Sequence, residues 1–83
     1  METYEKQIEN GVQPLDEVME KHGLSNKDLV QASTEQLTFK VVQKGRRGRR
    51  LTRRTQFKIV RAINKAITPP PDPLLDLRDL FNY

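Results

Sequence analysis

The chain has 83 residues with 15 basic and 11 acidic side chains, no cysteine and a formal net charge of +4. This length allows one small domain, and the lack of cysteine excludes disulfides and thiolate metal sites. No apolar run reaches the length of a signal-peptide core or a membrane span, so we expect a cytoplasmic protein.

The charges are segregated by sign along the chain. Residues 1–35 carry net −5, residues 36–71 carry net +11 without one acid, and residues 72–83 carry net −2. A cationic run this dense repels itself unless an anion neutralises it. A basic surface that served only solubility would contain interspersed acids, so the pattern predicts a polyanionic partner.

The first helix is predicted at residues 14–22, after a polar, acidic segment 1–13 that we expect to be flexible. Pro14 suits the first helical position, because its missing N–H is not needed there. Gly23 suits the left-handed residue that follows a helix. The only histidine, His22, falls on the predicted core face, where a lone histidine is more often structural than catalytic.

The second helix has the clearest start in the chain. Ser25 and Asp28 form a variant of the capping box, in which each side chain accepts a hydrogen bond from the other residue's backbone N–H. Leu24 and Leu29 flank this cap as a hydrophobic staple. The helix is predicted to end near Ala32.

The third helix is predicted from residue 34 to residue 44, directly after a tight turn. Ser33 and Gln36 form another capping box, and Gly45 is expected to end the helix. The stretch 37–42 also contains a period-two alternation, which is typical of a strand. The capping box favours the helix, and a strand over 37–42 remains the alternative.

The fourth helix is predicted from Thr52, its N-cap, to about Ile67, behind a flexible charged loop at residues 45–50. One side of this helix is apolar and includes Phe57. Another side carries four cations at i, i+4, i+7 and i+11: Arg54, Lys58, Arg61 and Lys65.

The domain organisation follows from these elements. We expect a flexible segment at 1–13, an all-α domain at 14–67, and a proline-rich linker with a short apolar tail at 68–83. The tail, which contains LLDLRDLF, covers the core, docks on a protein partner or is a disordered end. These three possibilities stay open in the sequence.

Catalysis is not expected. The chain lacks cysteine and a second histidine, and its KGRRGRR motif has neither the P-loop nor the dinucleotide-binding spacing. No cluster of metal ligands is visible in the sequence. We therefore expect a protein that is not an enzyme and has no cofactor.

The surroundings of the basic run favour duplex DNA as the polyanion. Single-strand binders expose aromatic side chains for base stacking, whereas the two aromatics near this run, Phe39 and Phe57, are predicted to be buried. Two alternatives remain: RNA bound through the arginine-rich loop, and a protein-interaction adaptor whose basic loop recognises an acidic partner.

Three stretches carry a family pattern: LDEVMEKHGLSNKDL, LVQASTEQLTFKVVQKG and the apolar helix KIVRAINKAI. With Leu24, Ser25, Leu29 and Gly45 at the motif positions, residues 15–67 resemble helix-turn-helix DNA-binding domains of the Cro and phage-repressor (XRE-like) type. The resemblance implies a small four-helix, lambda-repressor-like fold. It also implies binding as a homodimer to paired half-sites.

The resemblance further implies that the third helix enters the major groove and that the arginine-rich loop grips the backbone. The implied base-reading residues are Gln36, Thr38, Lys40, Gln43 and Lys44. The implied phosphate-binding residues are Arg46, Arg47, Arg49, Arg50, Arg53, Arg54, Lys58 and Arg61. The implied function is that of a transcriptional regulator that occupies a DNA site, associated with the nucleoid if the source is bacterial.

Overall fold

The computed structural model describes residues 11–83. This part of the chain forms five helices and no strand, which confirms the all-α prediction. The helices are α1 (Pro14–Lys21), α2 (Asn26–Ala32), α3 (Phe39–Arg47), α4 (Arg53–Ala66) and α5 (Leu77–Leu80). The predicted flexible segment lies outside the described residues except for 11–13.

The first two helices begin and end close to their predicted positions. Pro14 opens α1, and Gly23 follows it with a φ of 67°. The capping box of α2 is present, because Ser25 Oγ accepts from Asp28 N–H at 3.3 Å and the Asp28 carboxylate accepts from Ser25 N–H at 2.8 Å. Hydrogen bonds from the Ser25 backbone and hydroxyl stabilise the charged carboxylate and hold the pKa of Asp28 below its usual value.

The prediction that the third helix begins at residue 34 is wrong, because Ser33 is the C-cap of α2 and not the N-cap of a new helix. The Ser33 hydroxyl accepts from Glu35 N–H at 3.0 Å and donates to the Glu35 carbonyl at 3.0 Å. These bonds close a local turn that competes with helix formation. Residues 33–38 therefore form a connecting loop instead of a tight turn.

The cap of α3 is Thr38, whose Oγ1 accepts from Val41 N–H at 3.2 Å. Leu37 in the preceding loop is buried in the core. The alternation at 37–42 is thus neither a strand nor one continuous helix, since residues 37 and 38 lie before the first helical residue.

The predicted end of α3 is also wrong, because Gly45 is helical and buried. A Cβ at this position would lie 3.2 Å from Ile59 Cδ1 and 3.3 Å from side-chain atoms of Leu15 and Leu51, so glycine fits where these three side chains converge. The helix ends instead at Gly48, where φ is 88° and a Cβ would collide with the backbone of Gly11. The two arginines between the glycines are therefore helical rather than part of a loop.

The fourth helix matches its prediction. Thr52 is the N-cap and its Oγ1 accepts from Thr55 N–H at 3.2 Å, while Ile67 is the C-cap. The buried side of α4 is continuous over its middle turns and contains Gln56, Ile59, Val60, Ala62 and Ile63.

The C-terminal tail packs into the same hydrophobic core as the other helices. Leu80 is fully buried and Phe81 nearly so, and α5 lies against α1 and α4. The Asn64 amide accepts from Leu75 N–H at 2.9 Å and donates to the Leu75 carbonyl at 3.0 Å. Of the three possibilities for the tail, the structure shows the first, in which it covers the core.

Gln13 joins the start of the helical domain to its C-terminal tail. The Gln13 N–H donates to the Arg46 carbonyl at 2.9 Å, and its Oε1 accepts from Asn82 N–H at 2.7 Å. Because Gln13 is 1% exposed, the end of the segment predicted to be flexible is packed.

Candidate nucleic-acid interface

The outward side of α3 is cationic. Four polar side chains at i, i+3, i+4 and i+7 share this side, which we call the α3 face: Lys40, Gln43, Lys44 and Arg47. The opposite side holds the buried Val42 and Gly45, and the helix contains no acid. Among residues 11–83, no carboxylate forms an ion pair with the three cations of this face.

Arg46 lies on the inner flank of the same helix, and its guanidinium is engaged within the protein. Its Nε donates to Asp16 Oδ1 at 2.6 Å and its Nη1 donates to Asn26 Oδ1 at 2.7 Å. The side chain is only 16% exposed. These contacts join α3 to α1 and α2, so Arg46 orients the helix instead of presenting its charge outward.

The same network reaches the α3 face through Gln43. Asn26 Nδ2 donates to Gln43 Oε1 at 3.0 Å, which orients the Gln43 amide. The Gln43 Nε2 makes no hydrogen bond to any described residue and is available as a donor. A glutamine held in this way loses little side-chain entropy when it pairs with a base edge.

The structure brings three of the five predicted base-reading residues onto the α3 face: Lys40, Gln43 and Lys44. The placement of Gln36 and Thr38 on the third helix is wrong, because the helix begins after them. Gln36 is exposed in the connecting loop, and the Thr38 hydroxyl is used as the cap.

Arg49 and Arg50 lie in the loop between α3 and α4, and the tail holds the backbone of this loop. The Tyr83 hydroxyl donates to the Arg49 carbonyl at 3.0 Å and accepts from Leu51 N–H at 3.1 Å. Phe81 packs edge to face against Tyr83, with ring centroids 6.0 Å apart. No local sequence signal pointed to this contact, because its partners are far apart in the chain.

The cations of α4 have different surroundings from those of α3. Arg61 forms a bidentate pair with Glu35, with Nε and Nη2 at 2.6 and 2.8 Å from the two carboxylate oxygens. Lys65 Nζ donates to Thr34 Oγ1 at 3.2 Å. These contacts fasten the connecting loop to α4, a structural role that the charge pattern alone did not reveal.

The pair between Arg61 and Glu35 shifts both ionisation equilibria. The hydrogen bond from Arg61 holds the pKa of Glu35 below its usual value, and the charges of Arg61, Lys58 and Lys65 act in the same direction. The hydrogen bond to Glu35 raises the pKa of Arg61. One carboxylate therefore offsets part of the charge along this side of α4.

The N-terminal part of α4 carries three further predicted phosphate-binding residues. Arg53 Nη1 donates to Gln56 Oε1 at 3.2 Å. Arg54 is exposed and Lys58 is half-buried, and neither side chain makes a hydrogen bond or ion pair within residues 11–83. The outward charge of α4 is thus concentrated in its first half.

The prediction that the aromatics near the basic run are buried is wrong. Phe39 is 53% exposed and Phe57 is 38% exposed. Phe39 is the first residue of α3, where Val42 takes the core position one turn later. On α4, Gln56 and Ile59 occupy the buried side and Phe57 turns toward its edge. Both rings are therefore partly accessible for base stacking, so single-strand binding is not disfavoured.

His22 is exposed, so its predicted place on the core face is wrong; α1 ends at the residue before it. Within residues 11–83, no group of three or more histidine, cysteine, aspartate or glutamate side chains is placed to hold a metal ion. No helix in this range is both long enough and apolar enough to span a membrane.

Comparison with known proteins gives no match. No protein-family model matches the chain, and neither a curated protein nor a solved structure does. The resemblance to Cro-type helix-turn-helix domains rests on the residues of this chain alone.

Proposed function

We propose that this chain binds duplex DNA and acts as a transcriptional regulator by occupying a site. The observation that carries the proposal is the α3 face, on which three cations and one oriented amide share an outward side. The major groove of B-DNA is about 12 Å wide and admits one α-helix. With nine residues, α3 is about 14 Å long at ~1.5 Å per residue, which suits a short recognition helix.

The residues of the α3 face make two kinds of contact with DNA, to base edges and to phosphates. Gln43 pairs with adenine through its amide, and Lys40 and Lys44 reach guanine acceptors. Arg47 lies at the end of the helix and contacts the phosphate backbone together with Arg49 of the following loop.

The helix order agrees with a helix-turn-helix domain, although the connection departs from the usual form. Six residues, 33–38, join α2 to α3, whereas the motif normally has a turn of about three or four. The salt bridge between Glu35 and Arg61 holds this longer connection against α4. We therefore propose a helix-turn-helix-like domain in which α4 holds the loop that precedes the recognition helix.

The experiment that tests the function is selection from a random duplex library at moderate salt, followed by affinity measurements across a salt series. We expect an enriched sequence and a steep loss of affinity with salt, because each phosphate contact releases counterions. The absence of both an enriched sequence and salt-dependent binding would refute the proposal.

Base reading is tested by Gln43→Ala, which should change the selected sequence. Gln31→Ala, an exposed glutamine on α2, is the matched control and should leave the selection unchanged. Arg47→Ala should weaken binding to all sequences alike and lower the salt slope by about one. A uniform loss for Gln43→Ala would exclude its base-reading role.

A second candidate function is RNA or single-strand binding, which the exposed Phe39 and Phe57 favour because unpaired bases stack on aromatic side chains. Competition among duplex DNA, single-stranded DNA and structured RNA at equal salt separates the two. If the ligand is single-stranded, Phe39→Ala should weaken its binding by about 1–3 kcal/mol. The adaptor alternative has less support, since Leu80 and Phe81 are buried in the chain's own core.

A further inference from the structure

A cavity of about 610 Å³ opens between the N-terminus of α4 and Tyr83. None of its lining residues belongs to the α3 face. Its lining residues come from the loop, the first turn of α4 and the tail: Arg50, Leu51, Thr52, Arg53, Gln56 and Tyr83.

Gln56 is the unusual residue of this lining. It is 1% exposed, and its buried Nε2 has no hydrogen-bond partner among the described residues. Its Oε1 accepts from Arg53 Nη1 at 3.2 Å, which leaves the two amide protons as the unsatisfied part of the side chain. A buried donor of this kind needs an acceptor, and Gln56 is part of the lining of this cavity.

The helix end beside the cavity supplies further positive potential. The first backbone N–H groups of α4, those of Arg53 and Arg54, have no carbonyl partner within the helix, while Thr52 Oγ1 caps Thr55 N–H. The first turn of this 14-residue helix contains no acid. The helix dipole therefore acts in the same direction as the Arg53 guanidinium.

We propose that this cavity binds a phosphate group, held by Gln56 Nε2, the Arg53 guanidinium and the N-terminal N–H groups of α4. All of these groups are donors or cations, and a tetrahedral oxyanion accepts several such bonds at once. A neutral acceptor such as water can accept a hydrogen bond from the amide, but it is attracted only weakly by the positive charge of Arg53 and the helix N-terminus. The phosphate is either free, as inorganic phosphate or a small ester, or part of a nucleic-acid backbone.

The test is an NMR titration of the full chain with inorganic phosphate, compared with sodium chloride at equal ionic strength. We expect saturable shifts of the Gln56 side-chain amide and of the Arg53 and Arg54 backbone amides, in phosphate only. Shifts that chloride reproduces, or a Gln56 amide that does not move, would overturn the proposal. Because the readout is taken on the wild-type chain, it does not depend on any variant folding.

A matched pair of variants locates the site. Gln56→Met keeps the size of the side chain and removes the amide donors, so phosphate affinity should fall at least about tenfold. Gln31→Met, on the exposed side of α2, should leave it unchanged, and circular dichroism checks that both are folded. Full phosphate affinity in folded Gln56→Met would also overturn the proposal.

Duplex DNA added to the phosphate-bound protein identifies the source of the phosphate. Displacement of inorganic phosphate with a further shift at Gln56 assigns the site to the backbone, and retained phosphate assigns it to a free ligand. The inference does not depend on the proposed function, because a chain that failed to bind DNA would still show the phosphate titration.

Discussion

Helices α3 and α4 both carry a row of cations on an outward side, yet the two rows have different surroundings. On α4, Glu35 pairs with Arg61, and Thr34 accepts from Lys65. On α3, no carboxylate within residues 11–83 pairs with Lys44 or its neighbours on the face. On α4, Arg61 and Lys65 thus fasten a loop to the core, whereas the cations of the α3 face make no such contact within residues 11–83.

Charge density along a sequence therefore does not distinguish cations that are paired within the fold from cations that are not. Glu35 is the last acid before the acid-free stretch 36–71, and in the folded chain it lies against the basic helix α4. A cation that already has a carboxylate partner releases less free energy on meeting a phosphate, because the first pair must be broken. The α3 face carries no such cost.

The largest expected effect is on DNA binding by two double variants of equal charge change. Lys44→Ala with Arg47→Ala should weaken binding roughly a hundredfold, at about tenfold per contact. Arg61→Ala with Lys65→Ala should change affinity only a few-fold and lower stability instead. Fluorescence anisotropy with a labelled duplex at fixed salt measures the affinity of both variants. Equal losses of affinity would contradict the proposed difference between the two helices.

Two adjacent arginines of α3 allow the same comparison within one helix, because Arg46 is bonded within the protein and Arg47 is exposed. Arg46→Ala should lower the free energy of unfolding by about 2 kcal/mol, because Asp16 and Asn26 lose a charged donor. Arg47→Ala should change it by less than about 0.5 kcal/mol. Urea unfolding of the two variants measures this difference, and similar losses would mean that Arg46 is not the residue that orients α3.

A smaller effect is expected when the α4 row is released from its carboxylate. Glu35→Gln keeps the size of the side chain and removes its charge, so Arg61 becomes available to an external anion. Non-specific DNA affinity should rise a few-fold, with a steeper dependence on salt. An unchanged affinity and slope would show that the pair with Glu35 is not what keeps Arg61 from binding an external anion.

The smallest expected effect is the pH dependence of the stability that the pair between Glu35 and Arg61 contributes. Because the pKa of Glu35 is lowered in the folded chain, its charge stabilises the fold above the pKa of an unfolded glutamate. This contribution is lost as pH falls through the lowered pKa. The stability difference between wild type and Glu35→Gln should be full at neutral pH and vanish in acid, as measured by urea unfolding. A difference that grows toward acid would contradict the assignment.

Part of the candidate site could be predicted from the sequence. Lys40, Gln43 and Lys44 were expected as base readers and lie together on the α3 face, because their spacing matches a helix whatever its ends. Gln36 and Thr38 were misplaced, since a serine that can cap a helix can also close a turn. The structural roles of Arg46 and Arg61 could not be predicted, because their partners are distant in sequence.

Local sequence signals were enough to predict the all-α class, the starts of α1 and α2 and the bounds of α4 to within a residue or two. Those features depend on caps such as Ser25 and Thr52, whose hydrogen bonds reach only three residues along the chain. Tertiary packing was needed to place the end of α3 and to separate the cations that have a carboxylate partner from those that have none within residues 11–83. The first depends on the burial of Gly45 among Leu15, Leu51 and Ile59 and the second on the pair between Arg61 and Glu35, contacts that form only when distant segments pack together.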